Sequence, residues 1–192
     1  RIGAAAGGAR QPLDVRVRPL YNPALKSALF IVPGIIGMIL SNILIVITAM
    51  GVVREREHGT LEQLIVTPLT RAEIMLGKIT PYMLVGLVQL TAVLLVGSLV
   101  FRVPIRGSIL LIYVTSFLFI FASLGLGLFV STLARNQAQA IQISFFFLLP
   151  NVLLSGFMFP REAMPPVAME CGLLLPLTHF LQIMRGIVLK GV

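Results

Sequence analysis

Four stretches of this chain carry no charge over a length that can cross a lipid bilayer. Lys26 and Arg54 enclose residues 27–53, Lys78 and Arg102 enclose 79–101, Arg106 and Arg135 enclose 107–134, and Arg135 and Arg161 enclose 136–160. About 20 apolar residues cross the hydrocarbon core as a helix, and a charge at mid-bilayer costs a few kcal/mol on insertion scales. Each stretch therefore holds one helix, placed at about Pro33–Val53, Ile79–Phe101, Ile109–Leu133 and Gln139–Phe159. Barrel strands would alternate in polarity over about 9–11 residues, whereas these runs are continuously apolar. The composition agrees: 57% of the 192 residues are hydrophobic and 11% charged, where a soluble domain has about 45–50% and about 25%. The expected fold class is an all-α integral membrane protein, a polytopic transmembrane helix bundle. An ordinary soluble enzyme is excluded.

The formal charge of +8 raises the question of nucleic acid. Arg and Lys are scattered through the connections with no basic run interleaved with aromatics, which argues for no nucleic acid. Cys171 stands alone, so no internal disulfide forms, and His58 with His179 cannot make a metal site of the usual spacing. No catalytic or metal residues are expected. The sequence begins at Arg1 rather than Met, without a signal-peptide pattern, and reads as a piece of a longer chain.

Between the spans the sequence changes character. Residues 1–26 combine a Gly/Ala stretch, the alternating Asp14-Val15-Arg16-Val17-Arg18 and a turn at Pro19–Pro23, as expected of the end of a water-exposed domain leading into a membrane helix. The tail at 160–189 is cut by Pro160, Pro165, Pro166 and Pro176. Its apolar pieces, Val167–Leu175 and Leu177–Leu189, are too short to span and are expected as re-entrant or interfacial helices. Lys and Arg counts in the short loops barely discriminate an orientation.

The polar segment 54–78 concentrates the chemistry, because it holds four of the seven acidic residues. Thr60 followed by Gln63 fits a capping box, so a helix should begin at Leu61 with Leu61, Leu64 and Ile65 on one face. Pro68 disfavours helical geometry at Thr67 and limits that helix to about two turns. Thr70 and Glu73 repeat the capping pattern, with Leu69 and Ile74 spaced as a hydrophobic staple. From there two readings stay open: one helix continues through Lys78 with a kink at Pro81, or Thr80 caps a new helix with Pro81 at its first position. A short stiff helix clamped between two membrane helices suits a part that transmits force, although a solvated loop would also be charged and capped.

Glu55-Arg56-Glu57-His58-Gly59-Thr60-Leu61-Glu62-Gln63-Leu64, followed by Thr67-Pro68-Leu69 and Leu76-Gly77-Lys78, resembles the first cytoplasmic loop of the type-2 ATP-binding-cassette (ABC) exporter permeases. Tyr21–Pro23, Val32-Pro33-Gly34 and Leu154-Ser155-Gly156-Phe157-Met158-Phe159-Pro160-Arg161 resemble the same family, in particular its bacterial drug-export branch. The resemblance implies that the four spans are helices two to five of six. Residues 1–26 would end an extracytoplasmic domain, 27–192 would form the permease domain, and 160–189 would be short outward-side helices. It implies that 54–78 and the loop near Arg135 are cytoplasmic, in a multi-pass protein of the bacterial inner membrane. Arg54, Glu55, Arg56, Glu57, Gly59, Thr60, Glu62, Thr67 and Pro68 would then couple the membrane helices to an ATPase. Glu55, Glu57 and Glu62 would face basic or amide groups on it.

The chain itself offers no phosphate cradle. Its only Gly-Lys pair, Gly77-Lys78, is followed by Ile79, and Ala72 stands where a P-loop needs its first glycine. ATP and Mg would belong to a separate soluble ATP-binding-cassette ATPase subunit, with no cofactor on this chain. A second permease subunit, in a homo- or heterodimer, and membrane lipid would complete the assembly. The expected function is export of a hydrophobic or amphiphilic compound. A secondary transporter driven by an ion gradient would carry ionisable residues inside its spans, and none lies in the four. An intramembrane enzyme would pair a serine or cysteine with a histidine in a span, or bury two acids, and neither pattern occurs. Asn42, Gln89, Gln142 and Asn151 are expected as bonds between helices, and Ala122, Ser123, Gly125 and Gly127 as a small-residue packing face. Phe145–Phe147 and Phe157 fit a greasy substrate route no better than plain lipid or helix contact.

Overall fold

The computed structural model describes residues 27–60, 68, 70–100, 107–159 and 161–190. Four long helices carry the charge-free stretches: α1 (Ser27–Glu57), α2 (Arg71–Leu99), α3 (Ile109–Leu133) and α4 (Gln137–Leu154). A single 3-10 turn at Arg161–Ala163 leads to α5 (Pro166–Leu173) and α6 (Pro176–Arg185), and a π-helical turn follows at Gly186–Lys190. No strand occurs among the described residues. All four long helices are long and apolar enough to cross a membrane, so the chain is a polytopic all-α membrane protein. The expected helix from Leu61, with Glu62, Gln63 and Thr67, lies outside the described residues, as does the segment 1–26.

Helix α1 is the hub, packing against α2, α3, α4 and α6. Most of its buried residues fall on two adjacent rows of period four: Val32, Ile36, Leu40, Leu44 and Thr48, then Ser41, Ile45, Ala49 and Val53. Residues four apart stack on one helical face, so two rows give α1 a face wide enough for several neighbours. The first row meets Leu90 of α2, Ile112, Phe119, Ile120 and Leu124 of α3, and Leu177, Phe180, Leu181 and Met184 of α6. The second row forms a smaller cluster with Val130, Ala134 and Ala140. At Gly127 the backbones of α1 and α3 come close: a Cβ there would stand 2.7 Å from Thr48 Cβ and 3.0 Å from the Ile45 carbonyl oxygen. The small-residue face is thus divided, with Ser123 and Gly127 buried against α1 and Ala122 and Gly125 exposed.

Helix α2 settles the alternative left open at Thr80. It runs unbroken from Arg71 through Pro81, capped at Thr70 by a complete capping box in which Thr70 N–H donates to Glu73 Oε2 at 2.7 Å and Glu73 N–H donates to Thr70 Oγ1 at 3.3 Å. Thr80 caps nothing; its hydroxyl donates to the Leu76 carbonyl, 2.7 Å away and one turn back. Helix α4 stops at Leu154 rather than near Phe159, because Gly156 takes φ +81°, a left-handed conformation that ends a helix.

The proline-rich tail turns inward. Pro166–Leu173 and the segment Pro176–Val188 meet at 87°, with each helix started by proline at its first turn. The corner is tied by Thr178 Oγ1 donating to the Gly172 carbonyl and His179 Nε2 donating to the Leu173 carbonyl at 2.8 Å. Leu177, Phe180, Leu181 and Met184 recur at helical spacing and are all buried against α1 and α3. This piece was expected as re-entrant or interfacial helices; its second helix packs into the main core, as a helix lying on the surface would not.

Candidate functional site: a polar clasp at one end of the bundle

Three consecutive residues at the end of α1 each hold a different helix. Glu55 pairs with Lys78 of α2. Arg56 donates through Nη1 to the Ala134 carbonyl at 3.1 Å and through Nη2 to the Ser131 carbonyl, at the C-terminus of α3. Glu57 accepts from the backbone N–H of Gln137 at 3.1 Å and from its side-chain amide, at the N-terminus of α4. Successive side chains on a helix point about 100° apart, so a helix surrounded by three neighbours can address each with one residue.

The signs of these charges suit the termini they meet. The last carbonyls of a helix form its negative end and its first N–H groups its positive end. Arg56 therefore stabilises the end of α3 and Glu57 the start of α4. The junction between those two helices is further fixed by Asn136, whose side chain accepts from Gln139 N–H at 2.8 Å, and by Gln139, whose side chain accepts from Arg135 N–H at 2.7 Å.

Beyond Glu57 the chain turns sharply. His58 N–H donates to the Arg54 carbonyl at 3.0 Å and His58 Nδ1 donates to the same oxygen at 2.8 Å, closing the helix end. Gly59 has φ +69°, where a side chain is strained, and its N–H donates to the Arg56 carbonyl at 3.2 Å. The Thr60 hydroxyl donates to the Glu55 carbonyl at 3.1 Å, so it binds backward along α1; its expected partner Gln63 lies outside the described residues. Gly59, Thr60 and Pro68 are all exposed.

This placement corrects one sequence expectation. Glu55 and Glu57 are not free carboxylates awaiting a partner: both are engaged within the chain, Glu57 while still exposed, because α2, α3 and α4 converge on the end of α1. The exposed Arg54, Arg56 and Arg135 form no ion pair among the described residues, and Arg56 binds carbonyl oxygens instead. Lys78 and Gln137 were absent from the candidate set, since nothing local announces partners 23 and 80 positions away. The Asn136–Gln139 spacing does carry a capping signal, and it would have located the start of α4.

Of the polar residues within the spans, Gln89 acts as expected, donating through Nε2 to the Ile39 carbonyl of α1 at 3.2 Å. Asn151 is buried and Gln142 exposed. Phe145 and Phe146 lie on the outer surface, while Phe147 meets Phe129 edge to face and Phe157 rests over Gly34.

Fold and clasp together define a polytopic helical membrane protein whose spans are tied at one end by charged side chains to helix termini. The chain belongs to the ABC-2 family of transporter proteins, whose description, "ABC-2 family transporter protein", matches residues 3–192. Among its relatives in Escherichia coli (strain K12), "Probable multidrug ABC transporter permease YbhS" is 37% identical over 93% of this chain, and "Probable multidrug ABC transporter permease YbhR" is 40% identical over 92%. "Inner membrane transport permease YhhJ" of the same organism is 41% identical over 93%. The chain spans 48% of the length of each of these relatives. No solved structure matches it.

Proposed function

We propose that this chain is the membrane-spanning core of the permease subunit of an ATP-driven exporter of hydrophobic or amphiphilic compounds. It works beside a second permease subunit in the bacterial inner membrane, with the clasp on the cytoplasmic side. A separate soluble ATP-binding-cassette subunit holds ATP and Mg and hydrolyses the nucleotide. The family match and the names of the relatives support the class of function.

One observation carries the coupling role: the clasp residues directly precede the segment 58–70, which joins α1 to α2. A displacement of that segment is delivered at Glu55, Arg56 and Glu57 to α2, α3 and α4 at once, so closure of the ATPase biases the whole helix arrangement through one point of contact. Arg54, Gly59, Thr60, Glu62, Thr67 and Pro68 meet the ATPase, and Glu55, Arg56 and Glu57 distribute the motion. A charge reversal at Glu62 against a desolvated surface of the ATPase costs several kcal/mol, and one at Glu57 sets a positive charge against the positive start of α4.

The test is a Glu57→Lys, Glu62→Lys double variant, scored by co-purification of the ATPase subunit and by efflux from cells, both normalised to inserted protein. Assembly and efflux are expected to fall together. Normal values for both would show that the loop is a solvated connection only. Gly59→Pro, which removes a bonded N–H and forbids the positive φ, should misaim the segment in the same way. Orientation is read separately: a cysteine at Gln63 should be protected from an impermeant thiol reagent in intact cells, and one at the exposed Ser108 labelled.

A further inference from the structure

We propose that a cleft between α2 and α3 at the clasp end binds an anionic phospholipid, its phosphate on Arg56 and an acyl chain along the apolar wall. The cleft has a volume of about 420 Å³ and is walled by Val52, Ile74, Met75, Leu128 and Phe129, with Arg56, Lys78, Ser131 and Thr132 also lining it. Small-molecule sites occupy about 300–1,000 Å³ and combine apolar walls with a few placed polar groups. Depth selects a lipid as the occupant. Lys78 is the last charge before the apolar stretch 79–101, and Arg56 lies just past the stretch 27–53, so the cleft straddles the boundary between hydrocarbon and headgroups.

Charge selects an anionic headgroup. Glu55 neutralises Lys78, but Arg56 binds the carbonyls of Ser131 and Ala134 and forms no ion pair among the described residues. A guanidinium has five N–H donors, and those two bonds leave donors free for a phosphate. Basic pockets between transmembrane helices on the cytoplasmic side are a recognised form of lipid headgroup site. The exposed Met75 and Phe129, half of whose surface is uncovered, offer the chain a way in from the side. A lipid seated there would join α2 to α3 beside the residues that hold both helices to α1. The cytoplasmic placement rests on the function proposed above, but lipid binding can be measured without ATPase or cargo, so its failure is distinguishable from a failure of that reading.

The protein is reconstituted in phosphatidylcholine liposomes doped with a photoreactive phosphatidylglycerol, and in parallel with the matching photoreactive phosphatidylcholine. After irradiation the labelled residues are mapped by mass spectrometry. The phosphatidylglycerol probe should label residues 74–78 and 128–132, and the neutral probe should label them far less. Arg56→Gln should reduce that labelling about tenfold, as loss of a charge-assisted bond would. Because Arg56 also holds α3, a second variant, Met75→Trp, fills the cleft without touching the clasp; it should block labelling while thermal stability stays unchanged. Equal labelling by both probes, or labelling unaffected by Met75→Trp, would overturn the proposal.

Discussion

The two ends of this bundle are held together by different physics. At the clasp end, exposed or half-buried side chains make the ties: Glu55 forms an ion pair with Lys78 of α2, Arg56 bonds the end of α3 and Glu57 the start of α4. At the opposite end, where α6 inserts, the contacts are apolar and close, with Phe180 stacked on Phe119 at 4.2 Å between ring centroids and Leu177, Leu181 and Met184 buried around them. Bonds at exposed termini are individually weak and screened by salt, whereas packed aromatic contacts are neither. The contrast separates a rigid end from an end that can be rearranged at modest cost. A segment that relays motion belongs at the second.

The largest effect should come from the packed end. Phe180→Ala removes a ring that is 2% exposed and should lower stability by about 3–5 kcal/mol. Thermal unfolding in detergent would show the loss, and added salt should not change it. If that variant is as stable as the parent, the packed end is not where the bundle's rigidity lies.

A smaller effect is expected at the close approach of α1 and α3. Gly127→Leu forces a side chain against Thr48 and the Ile45 backbone and should cost about 1–3 kcal/mol. Gly125→Leu, two residues away with nothing within 4 Å of the added Cβ, should leave the melting temperature unchanged. The pair tests whether one glycine alone carries the crossing.

At the clasp, Arg56→Ala leaves the carbonyls of Ser131 and Ala134 to water and should cost about 1 kcal/mol, the low value reflecting exposure. Arg56→Lys, a point charge that cannot reproduce the fork, should recover only part of it. Unfolding curves of the three proteins side by side give the order. The smallest change is Glu57→Gln, which keeps an acceptor for Gln137 N–H but removes the charge facing the start of α4. Hydrogen exchange at Gln137–Ala140 should quicken slightly at low salt and match the parent at high salt. Salt-independent exchange would mean that the bond, and not the charge, secures α4.

The parts of the fold that rest on local rules were legible beforehand. The Thr70–Glu73 capping box is formed as its spacing predicts, because cap and acceptor lie within one turn. Gln89 was expected to bond a neighbouring helix and does so. For the tail, re-entrant and interfacial placements both stayed open, because Pro165, Pro166 and Pro176 show where helices start and stop but not which way the pieces turn. The apolar spacing of Leu177, Phe180, Leu181 and Met184 fits a lipid interface as well as a protein core. Likewise, Glu55 and Glu57 were expected to face basic or amide groups on a partner subunit, since a carboxylate free to do so and one engaged by a distant helix of its own chain look alike in sequence.

The sequence by itself determined that this chain is a bundle of membrane helices, because the cost of a charge in hydrocarbon leaves only four places for uncharged stretches of that length. It also determined where α2 starts, through a cap that spans one turn. Tertiary structure alone decided that α1 is the hub, that Gly127 and not Gly125 meets it, and that Glu55, Arg56 and Glu57 each hold a different helix. Those contacts join residues 23 to 80 positions apart. Their geometry follows from how whole helices pack, a property that no short stretch of sequence contains.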